Sequence, residues 1–445
     1  MESNFYKKFF SIYIALVLQN VVTISVNLAD NMMLGAYSET SLAGVAAVNQ
    51  IQFVLQMVML AFGEGMVILG SQYWGKGETA PMKKIAAIAM RIGLLVAVAL
   101  FIAMNVVPAG AVGLFTTDQP IIGEGVKYLN IIKFSYIFFA ATQLLLATLR
   151  MMEIVKIAFQ LSVMTFFVNC GINYLLIFGN FGLPRLGVAG AAIGTLTARI
   201  LETVVLILYI KKKEKRLCMK VRDYFVTDSA LRKSYYKVML PILAVQGLWG
   251  VNTALQTAIL GHMTAAAIAA NSAASTLFLL VKSIAVGASS TSAIIIGKTI
   301  GMGNKDVVME YSNRMQKMFV GLGLLAATIL FVIRIPVLSF YDLQPETMEM
   351  ARTFVLILCV VCIGMSYQMP TNTGIIRGGG STTYGMVLDL ISIWMIVLPL
   401  SFFMAFVVKA SPAVVVCCLN ADQLFKCIPA YLMSHYGNWI KVLTK

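Results

Sequence analysis

The stretch Asn27-Leu-Ala-Asp30-Asn31-Met-Met-Leu-Gly35 sets one carboxylate and two carboxamides at the end of an apolar run that reaches back to about residue 11. A run of some 20 residues or more is long enough to cross a bilayer as a helix. A carboxylate at that depth is costly unless it faces a protein interior or a watery cavity, so such an acid marks an ion or proton path. Asp30 is therefore the first candidate for chemistry, and the run that holds it implies a chain built from spanning helices.

The rest of the sequence repeats the pattern. Apolar residues make up 59% of the 445 and charged residues 12%, with a mean hydropathy of +0.85; soluble domains run nearer to 45–50% and 25%. Apolar runs lie near 11–34, 44–70, 85–107, 128–149, 157–179 and 188–210, then near 238–260, 268–297, 315–338, 353–375, 384–408 and 412–433. The reading is an all-α membrane protein of twelve transmembrane helices. Residues 1–210 form an N-terminal lobe, 211–237 a basic connection and 238–445 a C-terminal lobe, with six helices in each lobe.

Charge gives the orientation. Of the 34 Lys and Arg residues, 25 fall in segments on the side of the N-terminus, ten of them within 211–237. By the positive-inside rule both termini are cytoplasmic, and the chain is expected in the plasma (inner) membrane. Acids such as Glu39, Asp118, Glu124, Asp342, Glu346 and Glu349 lean to the outer face. The net charge of +15 is thus a matter of topology, and no nucleic-acid partner is expected. Lys7 and Lys8 precede a first run with no small-residue cleavage site, which reads as a retained helix.

The two halves echo each other. Leu34-Gly35 and Leu42-Ala-Gly-Val-Ala-Ala-Val-Asn49 recur as Leu260-Gly261 and Ala265-Ala-Ala-Ile-Ala-Ala-Asn271; Gly75-Lys-Gly77 recurs as Gly301-Met-Gly303, and Leu149-Arg150 as Ile376-Arg377. Six helices per half return the chain to the side it entered from. The lobes are then parallel repeats related by a pseudo-two-fold axis along the membrane normal, an arrangement that puts transport sites near midplane. The alignment sets Gln256 opposite Asp30, so one member of the pair ionises and the other does not.

Several motifs in order resemble the multidrug and toxic compound extrusion family. They are Asp30-Asn-Met-Met-Leu-Gly35 with Leu42-Ala43 and Asn49-Gln50, Gly70-Ser-Gln-Tyr-Trp-Gly-Lys-Gly77, Asn169-(x3)-Asn173 running to Gly179, Gly187 to Thr195, Leu240-Pro241, and Ile376-Arg-Gly-Gly-Gly380. The resemblance spans essentially the whole chain. It implies a two-lobed exporter of organic, amphipathic cationic compounds by alternating access, with cation-coupled antiport, the proton favoured over sodium. An aspartate of helix one works with polar groups of helices five and six in proton-coupled members, which carries over to Asp30, Asn169 and Thr195; Asn173 stands where some members have a second acid. Acids on helices seven and ten, typical of sodium-coupled members, are absent here, where Gln246, Asn252, Gln256, Ser366, Gln368 and Asn372 stand instead. Ser381 replaces the usual acid after the glycine turn.

Beside the resemblance stands a physical argument. A carboxyl that alternates between dry and wet surroundings takes up a proton in the first and releases it in the second. The plainer alternative is that Asn31, Asn169 or Asn173 holds Asp30 in a helix-packing hydrogen-bond cluster. Weaker substrate or coupling candidates are Asn27, Arg199, Glu202, Gln256 and Asp389. Arg199 and Glu202, three apart, and Asp422 and Lys426, four apart, also suit ion pairs that fix helix packing. Lys282 is a possible counterion for Glu64. Pro370 and Gly171 would permit kinks. The 27 methionines and 42 Phe and Tyr residues suit promiscuous apolar or cationic ligands.

No cofactor, metal or disulfide framework is expected from Cys170, Cys218, Cys359, Cys362, Cys417, Cys418 and Cys427, six of which lie in apolar segments, with Cys359 and Cys362 reading as packing residues. His262 and His435 are isolated. HExxH, paired-acid and Walker-type signatures are absent, which argues against an enzyme and against ATP-driven transport. Expected partners are small organic substrates and the lipid bilayer, with the chain a monomer. The alternative is a flippase of lipids or lipid-linked oligosaccharides in the same broad superfamily; the few arginines within helices weigh against it.

Overall fold

The computed structural model describes residues 2–217, 222–223, 228–339 and 344–444. Cys218, Lys220, Asp342 and Lys445 lie outside the described residues. Within them no strand occurs and the chain is a succession of helices.

The first six spans are α1 (Glu2–Tyr37), α2 (Glu39–Lys76), α3 (Thr79–Val106), α4, α5 (Lys156–Phe178) and α6 (Val188–Lys213). Here α4 consists of two helices, Gln119–Ile132 and Ser135–Arg150, bent by 55° at their junction; the apolar window over 128–149 runs across that bend and leaves out most of the first helix. The second six are α7 (Ser229–Met263), α8 (Ala265–Gly301), α9 (Lys305–Leu338), α10 (Pro345–Ile376), α11 (Thr382–Val407) and α12 (Pro412–Tyr436). Eleven of these helices are long and apolar enough to cross a membrane, and the bent α4 makes twelve.

Helices outrun their apolar windows wherever a polar turn can still be capped in water. The helix α7 starts at Ser229, nine residues before the apolar run, because the Asp228 carboxylate accepts from the backbone N–H groups of Ala230 and Leu231, each at 3.1 Å, filling donors that a helix start leaves open. Thr264 and Asn304 cap α8 and α9 in the same way. At its other end α5 stops at Gly179, whose φ of 71° is left-handed and suits glycine.

Besides the bent α4, three helices among the described residues leave α geometry inside the membrane-spanning region. The α10 ladder widens into a π-helical stretch, Pro370–Ile376, at the proline that lacks an N–H. The α11 helix widens over Leu390–Val397 and again over Phe403–Val407. The α12 helix is broken into Pro412–Leu419, Asp422–Phe425 and Cys427–Tyr436. By contrast α5 passes Gly171 as regular helix.

The chain divides into two compact units. The first comprises Leu18–Gly70 and Gly77–Met239, the second Met1–Val17, Ser71–Lys76 and Leu240–Lys445. Lipid tails are as apolar as leucine, so helix association in both units relies on close van der Waals fit and interhelical hydrogen bonds. Small residues provide the fit. In the first unit a Cβ on Gly190 would fall 2.7 Å from the Leu176 backbone. In the second, Gly75 and Gly301 face Lys298 and Gln72 so closely that a Cβ on either would lie about 2 Å from a backbone oxygen.

The second unit also holds the C-terminal tail. Trp439 is buried against Gly379, where no side chain would fit. The buried Gln72 side chain donates to the Lys441 carbonyl at 3.0 Å and accepts from the Leu443 N–H at 2.8 Å. The Lys441 N–H donates to the Gly379 carbonyl at 2.8 Å. The Arg377-Gly-Gly-Gly380 turn is thus a cradle for the tail.

Candidate functional site

The first unit brings Asp30, Asn169, Asn173 and Thr195 into one hydrogen-bonded line. Asn173 Nδ2 donates to Asp30 Oδ1 at 2.7 Å and to Asn169 Oδ1 at 3.2 Å, and Asn169 Nδ2 donates to Thr195 Oγ1 at 3.1 Å. Asn169 and Asn173 lie four apart on α5 and so share a face; both are buried, while Asp30 on α1 and Thr195 on α6 are half-buried. Three helices each contribute to the line.

Gly194 makes the arrangement possible, because a Cβ there would lie 2.2 Å from Asn173 Oδ1. That oxygen is buried and accepts no hydrogen bond from a side chain or backbone of the described residues. Buried polar atoms are normally satisfied, so the vicinity of Asp30 retains unused acceptor capacity.

Of three further groups around the carboxylate, Tyr128 and Cys170 carried no signal in the sequence, and Arg199 stood out there only through its spacing to Glu202. Tyr128 on α4 is buried and lies close to the Thr195 side chain and within electrostatic reach of Asp30. Cys170 and Arg199 also fall within that reach. The Arg199 guanidinium is engaged on two sides, by Glu202 Oε2 at 2.8 Å and by the Phe139 ring at 5.2 Å. Glu202 is thereby neutralised, and the Asp30 carboxylate takes its hydrogen bond from a neutral amide.

Asn27 and Asn31 are exposed, and the hydrogen bond to Asp30 comes from Asn173 instead of Asn31. Gln256 donates to Asn252 Oδ1 at 3.3 Å within α7. The opposite charge near Glu64 is Arg150; Lys282 instead lies over the Trp249 ring at 4.9 Å, within electrostatic reach of Asp422. Asp422 and Lys426 do form their i, i+4 pair, at 3.0 Å, and Lys426 reaches Asp389 as well, at 2.7 Å. That third partner comes from α11 and leaves no trace in local spacing.

Among the described residues no group of three His, Cys, Asp or Glu side chains is arranged to hold a metal ion. The six described cysteines are free thiols.

A protein-family model described as MatE matches residues 15–175 and 241–403. The probable multidrug resistance protein NorM of Thermotoga maritima is 25% identical over 431 residues, covering 96% of this chain and 92% of the relative. An uncharacterized transporter of Bacillus subtilis, YisQ, is 21% identical over 415 residues, covering 93% of this chain and 90% of its own. Among solved structures, a mutant of the Vibrio cholerae MATE transporter VcmN shares the fold with a TM-score of 0.90 at 16% identity, over 99% of this chain and 98% of that one. The two stretches matched by the family model account for most of the chain, one in each sequence half, and this multi-pass membrane protein belongs to the MatE family, that of the multidrug and toxic compound extrusion transporters.

Proposed function

We propose that the chain is a secondary active multidrug exporter that moves organic, amphipathic cationic compounds outward in exchange for protons, and that Asp30 carries the coupling proton. The observation that supports this reading most is the Asn173 Nδ2 to Asp30 Oδ1 hydrogen bond. It orients the carboxylate through a neutral donor. A carboxylate fixed by neutral amides can gain or lose a proton without stranding a partner charge. Dry surroundings favour a protonated carboxyl and water an ionised one, so wetting and drying of the cluster exchanges the proton. Asn169, Asn173 and Thr195 keep the carboxylate oriented through the cycle.

The chain works as a monomer in the plasma membrane with both termini in the cytoplasm, needs no cofactor and draws its substrates from small organic compounds. The NorM name of the Thermotoga maritima relative supports the multidrug reading.

The test is transport of a fluorescent organic cation in proteoliposomes under an imposed proton or sodium gradient, comparing wild type with Asp30→Asn. Proton-driven export that is lost in Asp30→Asn is the expected result. Export driven by sodium alone, or export retained by the variant, overturns the assignment.

A further inference from the structure

The connection between the sequence halves carries ten Lys and Arg residues against three acids over 211–237. Each acid is engaged away from the lysines that end α6. Glu214 is buried and accepts from the Arg216 backbone N–H at 2.9 Å, Asp223 lies 3.9 Å from the Lys83 ammonium of α3, and Asp228 accepts from Lys84 at 3.0 Å while it caps α7. Lys213 lies over the Tyr209 ring at 5.9 Å. Lys211 and Lys212 are exposed and make no ion pair or side-chain hydrogen bond with another described residue.

Those two lysines crown an apolar stripe. Ile200, Val204, Ile207 and Leu208 are 37%, 46%, 39% and 48% exposed, and their spacing of four, three and one keeps them on one face of α6. Lys211 continues that face, four residues after Ile207, and Lys212 follows four residues after Leu208 at its edge. The rise from Ile200 to Lys211 is about 16 Å, close to the roughly 15 Å of hydrocarbon in one leaflet. The stripe is thus one acyl chain long and ends in two ammonium groups at headgroup level, where basic residues attract anionic lipid. Membrane orientation asks only for a surplus of positive charge on one side, and it does not place lysines on the face that lipid chains cover.

We infer that this face of α6 binds an anionic phospholipid of the adjoining leaflet, with the phosphate met by Lys211 and Lys212 and an acyl chain laid along Ile200, Val204, Ile207 and Leu208. The site lies wholly within the first unit. It stands whichever side of the membrane the connection faces, and whether or not Asp30 carries the coupling proton.

The experiment titrates the full-length protein in dodecyl maltoside with tail-labelled phosphatidylglycerol, with phosphatidylcholine of the same chains, and with soluble glycerol phosphate as competitor. Wild type is expected to bind the anionic lipid at least about tenfold more tightly than the zwitterionic one, since each ammonium is worth about fivefold beside anionic lipid, and glycerol phosphate is expected not to compete. Lys211→Gln combined with Lys212→Gln should remove that preference, and Lys211→Arg combined with Lys212→Arg should keep it. Taking two charges instead from the exposed Lys305 and Lys317 of the second unit, again as glutamines, should leave it unchanged. Equal binding of the two lipids by wild type overturns the inference. An equal loss in the Lys305 and Lys317 variant also overturns it, because the preference would then follow total charge and no site. Displacement of the lipid by glycerol phosphate overturns it as well, because the lysines would then take a phosphate that has no acyl chain.

Discussion

The carboxylates of the two units are held in opposite ways. Asp30 accepts from the amide of Asn173; Asp389 and Asp422 share the ammonium of Lys426. An amide carries no charge of its own, so protonating Asp30 weakens one hydrogen bond but strands no partner charge. A buried lysine is not indifferent, since losing either partner leaves it under-neutralised in a low-dielectric interior. The first unit is built to let a charge change, and the second to keep its charges fixed.

The largest effect that tests this contrast is on stability. Lys426→Met leaves the buried Asp422 and the part-exposed Asp389 without their shared cation, and breaking a buried pair costs about 3–5 kcal/mol. Asp30→Asn keeps the shape of the line and is expected within about 1 kcal/mol of wild type, the scale of a single hydrogen bond. Unfolding in mixed micelles in choline buffer measures both. Equal losses in the two variants would break the comparison.

Next comes Gly194→Ala. Its Cβ, 2.2 Å from Asn173 Oδ1, forces the amide away from Asp30 at an overpacking cost of about 1–3 kcal/mol. Proton-driven export is expected to fall severalfold although no polar group has been removed; unchanged export would mean that the Asn173 contact is dispensable. Thr195→Val removes one hydrogen-bonding oxygen at nearly constant shape. It should cost about 1 kcal/mol and shift the pH profile of export more than its maximum rate.

The smallest effect lies outside the membrane. The backbone N–H of Leu231 and the Lys84 ammonium hold the Asp228 carboxyl below the usual carboxylate range. A group whose pKa is depressed by folding stabilises the fold above its unfolded value and loses that contribution as the pH falls through the folded one. The first turn of α7 should therefore loosen below about pH 4. Hydrogen exchange at Ala230 and Leu231 reports it, and Asp228→Ala should abolish the pH dependence.

How much of this was legible in the sequence follows from what hydropathy registers. Apolar runs mark lipid contact, so the number of spans and the place of Asp30 were readable before any coordinates. The runs say nothing of backbone continuity, which is why the bend of α4 and the capped start of α7 at Asp228 went unread. The 3.6-residue period joins Asn169 to Asn173 and Asp422 to Lys426, because those pairs lie on one helix. It cannot join Lys426 to Asp389 or Tyr128 to Thr195, which meet only when separate helices pack. The Arg377-Gly-Gly-Gly380 turn stood out as a motif, but its use as a seat for Trp439 depends on a tail some sixty residues further on.

That seat has a practical and an evolutionary side. Gln72 grips the tail by a carbonyl and an N–H, atoms every residue but proline possesses, so the spelling of Lys441, Val442 and Leu443 is otherwise free to drift while their number is not. Replacing all three should pass unnoticed, whereas deleting one would bring the wrong main-chain atoms to Gln72 and pull on Trp439. Reporter proteins or affinity tags inserted within this tail would strain the same grip, and a flexible spacer is the remedy.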